Sequence, residues 1–304
     1  MSGGRVRRSG LWVAGALAAG VLAVGASGCS GGGSGEGVGE GPSKTADHST
    51  SGTTAPGHTA PGHPAPAAPQ VDARGVQAKA YTRWGLPKPL TPPPTTPDRT
   101  PALHPSGPPV VLDRVKTTDK VVFLTYDDGA EKDPAFVKMV ADLKLPLSMF
   151  LTDSVAGSNY DHFKKLRDAG NGTIQNHTTG HANLRTLSYE AQRKQICDQQ
   201  DRLERHFGTR PTLFRPPYGN YNKDTVRAAG TCGVQALVLW RESMQIHNMQ
   251  YAEGKRLKPG DIVLAHFRGP SELKGSTITE MTTRMLRRIQ DQGFTIARLE
   301  DYLQ

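Results

Sequence analysis

From Val121 onward, short apolar runs alternate with stretches of helical periodicity, and this alternation limits the fold more than any other feature of the chain. The apolar runs cover residues 121–126, 147–151, 172–175, 213–214, 234–240, 261–265 and 295–298. Between them, apolar side chains recur at helical spacing over 133–144, 161–169, 189–207, 223–229 and 277–292. Strand and helix in alternation imply crossover connections, hence a parallel sheet, open or closed into a barrel. In such folds ligands bind at the carboxyl ends of the strands. The chemically active residues collect at those ends: Asp127 and Asp128 after the first run, His177 and His181 after the third, Arg215 and Tyr218 after the fourth, and His266 after the sixth.

The chain ahead of this domain has a different composition. Twenty-nine glycines and prolines lie in residues 30–110, against 21 in the 194 residues of 111–304. One domain of average composition is therefore expected over 111–304, preceded by segments that cannot bury a core. Residues 1–28 read as a signal peptide: Arg5, Arg7 and Arg8 form a basic region, and residues 11–27 form an uncharged apolar run rich in Ala and Gly. Small residues lead from there to Cys29, an arrangement that resembles the lipobox of bacterial lipoproteins, with Ala26 where Leu is usual. The resemblance implies lipidation of Cys29 and a protein held on the outer face of the cell membrane; ordinary secretion is the alternative. Residues 29–110 are then a tether, in which TAPGH occurs twice in succession, His58 and His63 read as solvated spacers, and prolines favour extended polyproline II from residue 76 onward. Tyr81 and Trp84 are candidates to dock on the domain.

The net charge of +9 could suggest a nucleic-acid partner. Its distribution argues otherwise: residues 111–304 carry 28 basic and 23 acidic side chains, with no basic block of the kind that tracks phosphates. No nucleic acid is expected, and the domain reads as a monomer. With Cys29 lipidated, Cys197 and Cys232 remain, and outside the cytoplasm such a pair is expected to be oxidised. Two buried free thiols are the other possibility.

Two imidazoles separated by three residues can share one side of a helical turn, and with one carboxylate they leave an open coordination position, as in catalytic metal sites. Taken with the other motifs the pattern is specific. LTYDDG (124–129), NHTTGH (176–181), FRPPYG (214–219) and KPGDIVLAH (258–266) occur in the order and spacing of the polysaccharide deacetylases of carbohydrate esterase family four, the NodB homology domain, which this chain resembles over about residues 120–303. The resemblance implies a distorted (β/α)7 barrel and a metal-dependent hydrolase acting on carbon–nitrogen bonds other than peptide bonds, which removes acetyl groups from an extracytoplasmic glycan such as peptidoglycan or chitin. It implies that Asp128, His177 and His181 hold a divalent ion, zinc first and cobalt among the alternatives. It makes Asp127 the general base, oriented by Arg215. The Tyr218 backbone N–H joins the oxyanion site, Trp240 and Leu264 line the acetyl pocket, and His266 is the general acid, with a pKa expected near working pH.

Three positions depart from the family pattern. The stretch LVLWRESMQ (237–245) lacks the Asp that tunes the acid histidine, and Glu242 is its only carboxylate. Phe267 stands where Asp is common, and Ala130 where Pro is usual. A non-catalytic glycan-binding relative that keeps the metal, and an O-acetyl xylan esterase, are the competing readings.

Overall fold

The computed structural model describes residues 73–95, 103 and 107–303. The proposed signal peptide, Cys29 and the TAPGH repeats lie outside them. In chain order the elements are α1 (Ala73–Arg83), β1 (Val110–Leu112), β2 (Val121–Asp128), α2 (Pro134–Leu143), β3 (Ser148–Leu151), α3 (Asp153–Ala156), α4 (Tyr160–Gly170), β4 (Thr173–Asn176), α5 (Tyr189–Phe207), β5 (Leu213–Phe214), α6 (Lys223–Thr231), β6 (Ala236–Val238), β7 (Glu242–Met244), β8 (Met249–Tyr251), β9 (Asp261–His266), α7 (Pro270–Leu273), α8 (Ile278–Asp291) and β10 (Thr295–Ala297). No helix among the described residues is long and apolar enough to cross a membrane.

The strands form one curled sheet in the order β1-β6-β5-β4-β3-β2-β9-β7-β8, with β10 paired to the first half of β2. All these pairs are parallel except β7 with β8. The hydrogen-bonded path ends at β1 on one side and β8 on the other, so the barrel expected from the motifs is a curled half-barrel with a seam. β2 is its centre. Side chains alternate across a strand, and those of β2 are buried along its length, as in parallel strands covered on both faces. Val122, Leu124 and Tyr126 join the outer core with Phe136 and Met139 of α2 and Met285 and Leu286 of α8. Val121 and Phe123 join the inner core with Phe150, Leu213, Ala236, Val238 and Ile262. Asp127 has the parity of that inner set, which carries its carboxylate to the mouth of the curled sheet.

The helices start where the chain supplies caps. Asp133 accepts from Ala135 N–H ahead of α2, with Pro134 in the first turn, and Thr277 and Glu280 cap α8 reciprocally. The helices hold the outer face of β2 and leave the carboxyl ends of the strands free.

Three features differ from the sequence reading. The packed unit begins before residue 111: α1 replaces the start of the extended segment expected from residue 76, because 73–83 contains no proline and is rich in helix-forming Ala, Gln, Lys and Arg. Tyr81, Leu86 and Leu90 are buried in the outer core, and Trp84 Nε1 donates to Asp142 Oδ2 at 2.9 Å. Second, the run at 234–240 keeps only three residues in strand, and the chain then makes the β7–β8 hairpin, whose three-residue strands are joined without glycine or proline. Third, β1 adds an edge strand beside β6.

Cys197 and Cys232 are bonded, which ties α5 to the end of α6. Closing a sequence separation of 35 residues stabilises a fold by about 3–4 kcal/mol in the chain-entropy model. Reduction, or Cys232→Ser, should lower the unfolding free energy by about that amount in urea titrations, and two alkylatable thiols in the unreduced protein would contradict the bridge. Leu86→Ala, in a side chain only 2% exposed, should cost about 2–4 kcal/mol by the same measurement; a neutral result would mean that the segment after α1 is not docked.

Candidate active site

The site is assembled on one rung of the sheet. Asp128 is level with Leu151 on β3, Leu151 with Asn176 on β4, and Asn176 with Phe214 on β5. The next residues along, His177 and Arg215, donate their backbone N–H groups to Leu151 O and Asn176 O at 3.1 and 3.0 Å. On the other side Asp127 is the register partner of His266 on β9, and Phe267 N–H donates to Asp127 O at 3.0 Å. Residues 139 positions apart in sequence, Asp127 and His266, thus stand side by side.

Alternation alone would send Asp127 and Asp128 to opposite faces. Asp128 has φ 76°, in the left-handed region, which turns its carboxylate back toward the mouth. Gly129 follows at φ 101°, where a Cβ would lie 2.7 Å from that of Ala156, so only glycine completes this turn. Thr178, His181 and Tyr218 also have positive φ, at 72°, 54° and 62°. His177 and His181 therefore lie on a strained loop and not on the helical turn that their spacing suggested. That loop is held from below: Asn176 Oδ1 accepts from Thr178 N–H at 2.8 Å, Thr152 Oγ1 donates to His177 O at 2.9 Å, and Gln195 Oε1 accepts from Gly180 N–H at 2.9 Å.

Asp128 Oδ1 lies 3.5 Å from His177 Nε2 and 3.3 Å from His181 Nε2. One ligand atom from each of the three residues falls within 4.8 Å of the others, which makes them a candidate metal centre. The chemistry of the donors fits a cation. Asp128 Oδ1 is buried without a hydrogen-bond partner. His177 Nδ1 lies 2.7 Å from the Arg215 carbonyl, which fixes the proton on that nitrogen and leaves the Nε2 lone pair facing Asp128. Burial pushes the His177 imidazole down to about 3, so the ligand is neutral at physiological pH.

Asp127 is held by Arg215, whose Nη1 donates to Oδ1 at 2.6 Å. Burial pushes the Asp127 carboxyl up to about 6 in the metal-free site, against the opposing pull of Arg215. Arg215 is fully buried, lies over the Phe150 ring at 4.3 Å, and donates to Val238 O and Leu239 O. The mouth is bordered by Tyr218, 55% exposed with its ring 4.7 Å from that of His181, and by half-buried Trp240, which packs on Gly219. Leu264 is buried two residues before His266, on the same face of β9.

His266 differs from expectation. Its imidazole is held well below the ordinary histidine value, first by burial and then by the cation of Arg268, and its Nδ1 is buried without a partner. Glu242 does not supply the missing carboxylate. It is level with Val263, on the face opposite His266, and burial together with Asp261 pushes it up to about 8. Arg268 is the site-facing residue that motif reading passed over. It follows β9 by two residues, after Phe267 of the outer core, and its cation bears on His266.

Comparisons with known proteins agree with this fold. A family model described as polysaccharide deacetylase matches residues 114–237. An uncharacterized protein of Streptomyces coelicolor is 48% identical over 197 residues, 64% of this chain and 78% of that protein. The peptidoglycan-N-acetylmuramic acid deacetylase PdaC of Bacillus subtilis is 28% identical over 207 residues, 63% of this chain but 42% of its own length. Among solved structures, the chitin deacetylase of Colletotrichum lindemuthianum matches with a TM-score of 0.53 at 19% identity, covering 64% of this chain and 91% of that one. A family 4 pseudoenzyme of Bacillus anthracis matches with a TM-score of 0.54 at 22% identity, covering 64% and 69%.

The buried histidine has a measurable consequence. Unfolded, an imidazole binds a proton below about pH 6.5; folded, His177 refuses one until about pH 3. Its contribution to stability is therefore present above pH 6.5 and is lost on acidification, at up to about 1.4 kcal/mol per pH unit. In metal-free protein, His177→Gln should flatten the fall of stability between pH 6.5 and 4, measured by urea unfolding. An unchanged slope would show that the ring titrates freely.

Proposed function

The chain belongs to the polysaccharide deacetylase family, and on that premise we propose that it is a metal-dependent hydrolase that removes acetyl groups from N-acetylated sugars of an extracytoplasmic glycan, peptidoglycan first. The observation that carries this reading is the meeting of Asp127, Asp128, His177, His181, Arg215 and His266 at one end of the sheet. In this reading Asp128, His177 and His181 hold a divalent ion, zinc or a similar metal. When bound, such an ion supplies Lewis-acid polarisation of the acetyl carbonyl and acidifies water.

The residues then divide the work. Asp127, fixed by Arg215, takes the proton of the attacking water from a constant position. The Tyr218 backbone N–H donates to the carbonyl oxygen as charge develops there, and loss of one such donor costs about 10²-fold or more in rate. Trp240 and Leu264 give the acetyl methyl an apolar seat. His266 delivers a proton to the departing nitrogen, because an amine anion is a very poor leaving group. Since burial and Arg268 favour the neutral ring of His266, the proton it delivers would be the one released by the attacking water and taken up by Asp127, its register partner.

That same histidine favours a second reading. Without a carboxylate at Nδ1, a non-catalytic glycan-binding relative that retains the metal is consistent with the site. An O-acetyl substrate such as acetylated xylan would also ask less of the acid, because an alcohol leaves more readily than an amine. The Bacillus and fungal deacetylases named above act on peptidoglycan and chitin, and the lipid anchor that we propose at Cys29 from the sequence would suit an enzyme acting on a cell wall from the outer face of the membrane.

Purified protein loaded with zinc or cobalt should release acetate from N-acetylated chito-oligosaccharides or peptidoglycan fragments. Asp127→Asn should reduce release by about 10²-fold or more, and chelation should abolish it. Metal binding without turnover on N-acetyl or O-acetyl glycans would overturn the enzymatic reading in favour of the binding one.

A further inference from the structure

Arg268 has no assigned role in deacetylation, yet it is built into the mouth of the site. It lies two residues beyond His266, while Phe267 between them packs against Tyr126, Phe136 and Phe163 in the outer core. Its Nη2 donates to Gln245 Oε1 at 3.2 Å. Gln245 directly follows β7, on which Ser243 is level with Leu264, and its own Nε2 donates to Ser243 Oγ at 3.2 Å. The guanidinium is thus positioned by a neutral amide.

Its charge is not cancelled. Arg268 Nε is buried without a hydrogen-bond partner, and no carboxylate pairs with Arg268 among the described residues. Beside Arg268, the groups that bear on His266 are the Arg215 cation and the imidazoles of His177 and His181, and Asp127 stands next to it as its register partner. Arg215 is matched by Asp127, and Asp128 is the candidate metal ligand. Glu272, the nearby acid on α7, accepts from Gly269 N–H and caps that helix. A guanidinium whose buried Nε has no partner within the protein keeps hydrogen-bonding capacity for a ligand. A guanidinium presents its donors as a planar fork, and that fork matches a carboxylate.

We propose that Arg268 is a specificity-determining residue that docks a substrate carboxylate next to the acetylated nitrogen, so that the site favours an anionic N-acetylated glycan over a neutral one. This rests on the deacetylase reading of the site and narrows its substrate class. Two carboxylates have the chemistry: a lactyl ether on the acetylated sugar itself, as in glycan strands freed of their peptides, or a uronic acid on the neighbouring sugar.

The test compares matched substrates with wild type, Arg268→Gln and Arg268→Lys, each zinc-loaded and checked for an unchanged melting temperature. The substrates are glycan strands carrying the free lactyl carboxylate, the same strands with that carboxyl reduced to an alcohol, and an N-acetylglucosamine–uronate polymer. Acetate release gives kcat/KM, and titration calorimetry gives Kd. Wild type should prefer a carboxylate-bearing strand over its neutral counterpart by about 10- to 100-fold, the scale of one charge-assisted contact. Arg268→Gln should erase most of that ratio through KM and Kd, and Arg268→Lys should retain part of it. Preference for the lactyl or the uronate substrate assigns the position of the carboxylate. A wild-type ratio near one, or a ratio that survives in Arg268→Gln, overturns the proposal. Carboxylate-selective binding without acetate release would uphold the docking role of Arg268 while refuting the deacetylase reading.

Discussion

The buried pair of Asp127 and Arg215, 2.6 Å apart at the centre of the curled sheet, is the contact on which the rest of the site depends. Arg215 reaches it by filling the inner core below the mouth. One face of its guanidinium lies on Phe150, and its remaining donors go to the carbonyls of Val238 and Leu239 at the end of β6. Its own carbonyl lies against His177 Nδ1 and so fixes the tautomer of a candidate metal ligand. One side chain and its backbone therefore set the direction of the proposed base, the proton on a ligand and the position of a neighbouring strand. A buried pair of this kind adds little net stability over an apolar substitute, but removing one partner strands a charge at a cost of about 3–5 kcal/mol. Its value is geometric: β2, β5 and β6 cannot shift relative to one another without breaking it.

Strain is concentrated around the same mouth. Asp128, Thr178, His181 and Tyr218 all have positive φ although none is glycine. Such conformations cost of order 1 kcal/mol or more each and survive only where neighbours hold them. Here the neighbours are identifiable. Asn176 takes the N–H of Thr178, Thr178 Oγ1 takes that of His181, and Gln195 holds Thr179 and Gly180 from α5. The disulfide and the packing of α5 against α6 stand behind this support. Structure remote from the chemistry thus has a plain role: it maintains a backbone that would otherwise relax away from the arrangement that brings Asp128, His177 and His181 together.

The parallel α/β sheet was legible because the apolar runs that build it are covered on both faces and end in polar residues. The site was legible because each of its residues sits within a few positions of such an end. What escaped the sequence reading has physical causes. β7 and β8 are three residues long and joined without glycine or proline, so neither period nor punctuation marks them. α1 precedes a proline-rich stretch whose composition obscured it, although Tyr81, Leu86 and Leu90 bury as core residues do. The His loop has helical spacing without helical conformation, since three positions between two ligands satisfy a turn and a strained loop alike. Arg268 was hidden by the attention that a motif gives to its own last residue. It follows β9 by two residues, and its cation bears on His266.

The state of His266 follows from what replaced its missing partner. A carboxylate at Nδ1 would offset burial and favour the imidazolium; this chain offers an empty Nδ1 and a cation instead, and both favour the neutral ring. Glu242 cannot compensate from the opposite face, where Asp261 stands against its ionisation. A neutral imidazole can accept a proton before it donates one, which suits a group that protonates a leaving amine only if an anion or the reaction itself supplies the bias. The same cation that depresses His266 would be screened by a carboxylate bound to it. In this arrangement the features that look least like a working acid in isolation become compatible with one once an anionic substrate is seated, because one guanidinium faces both.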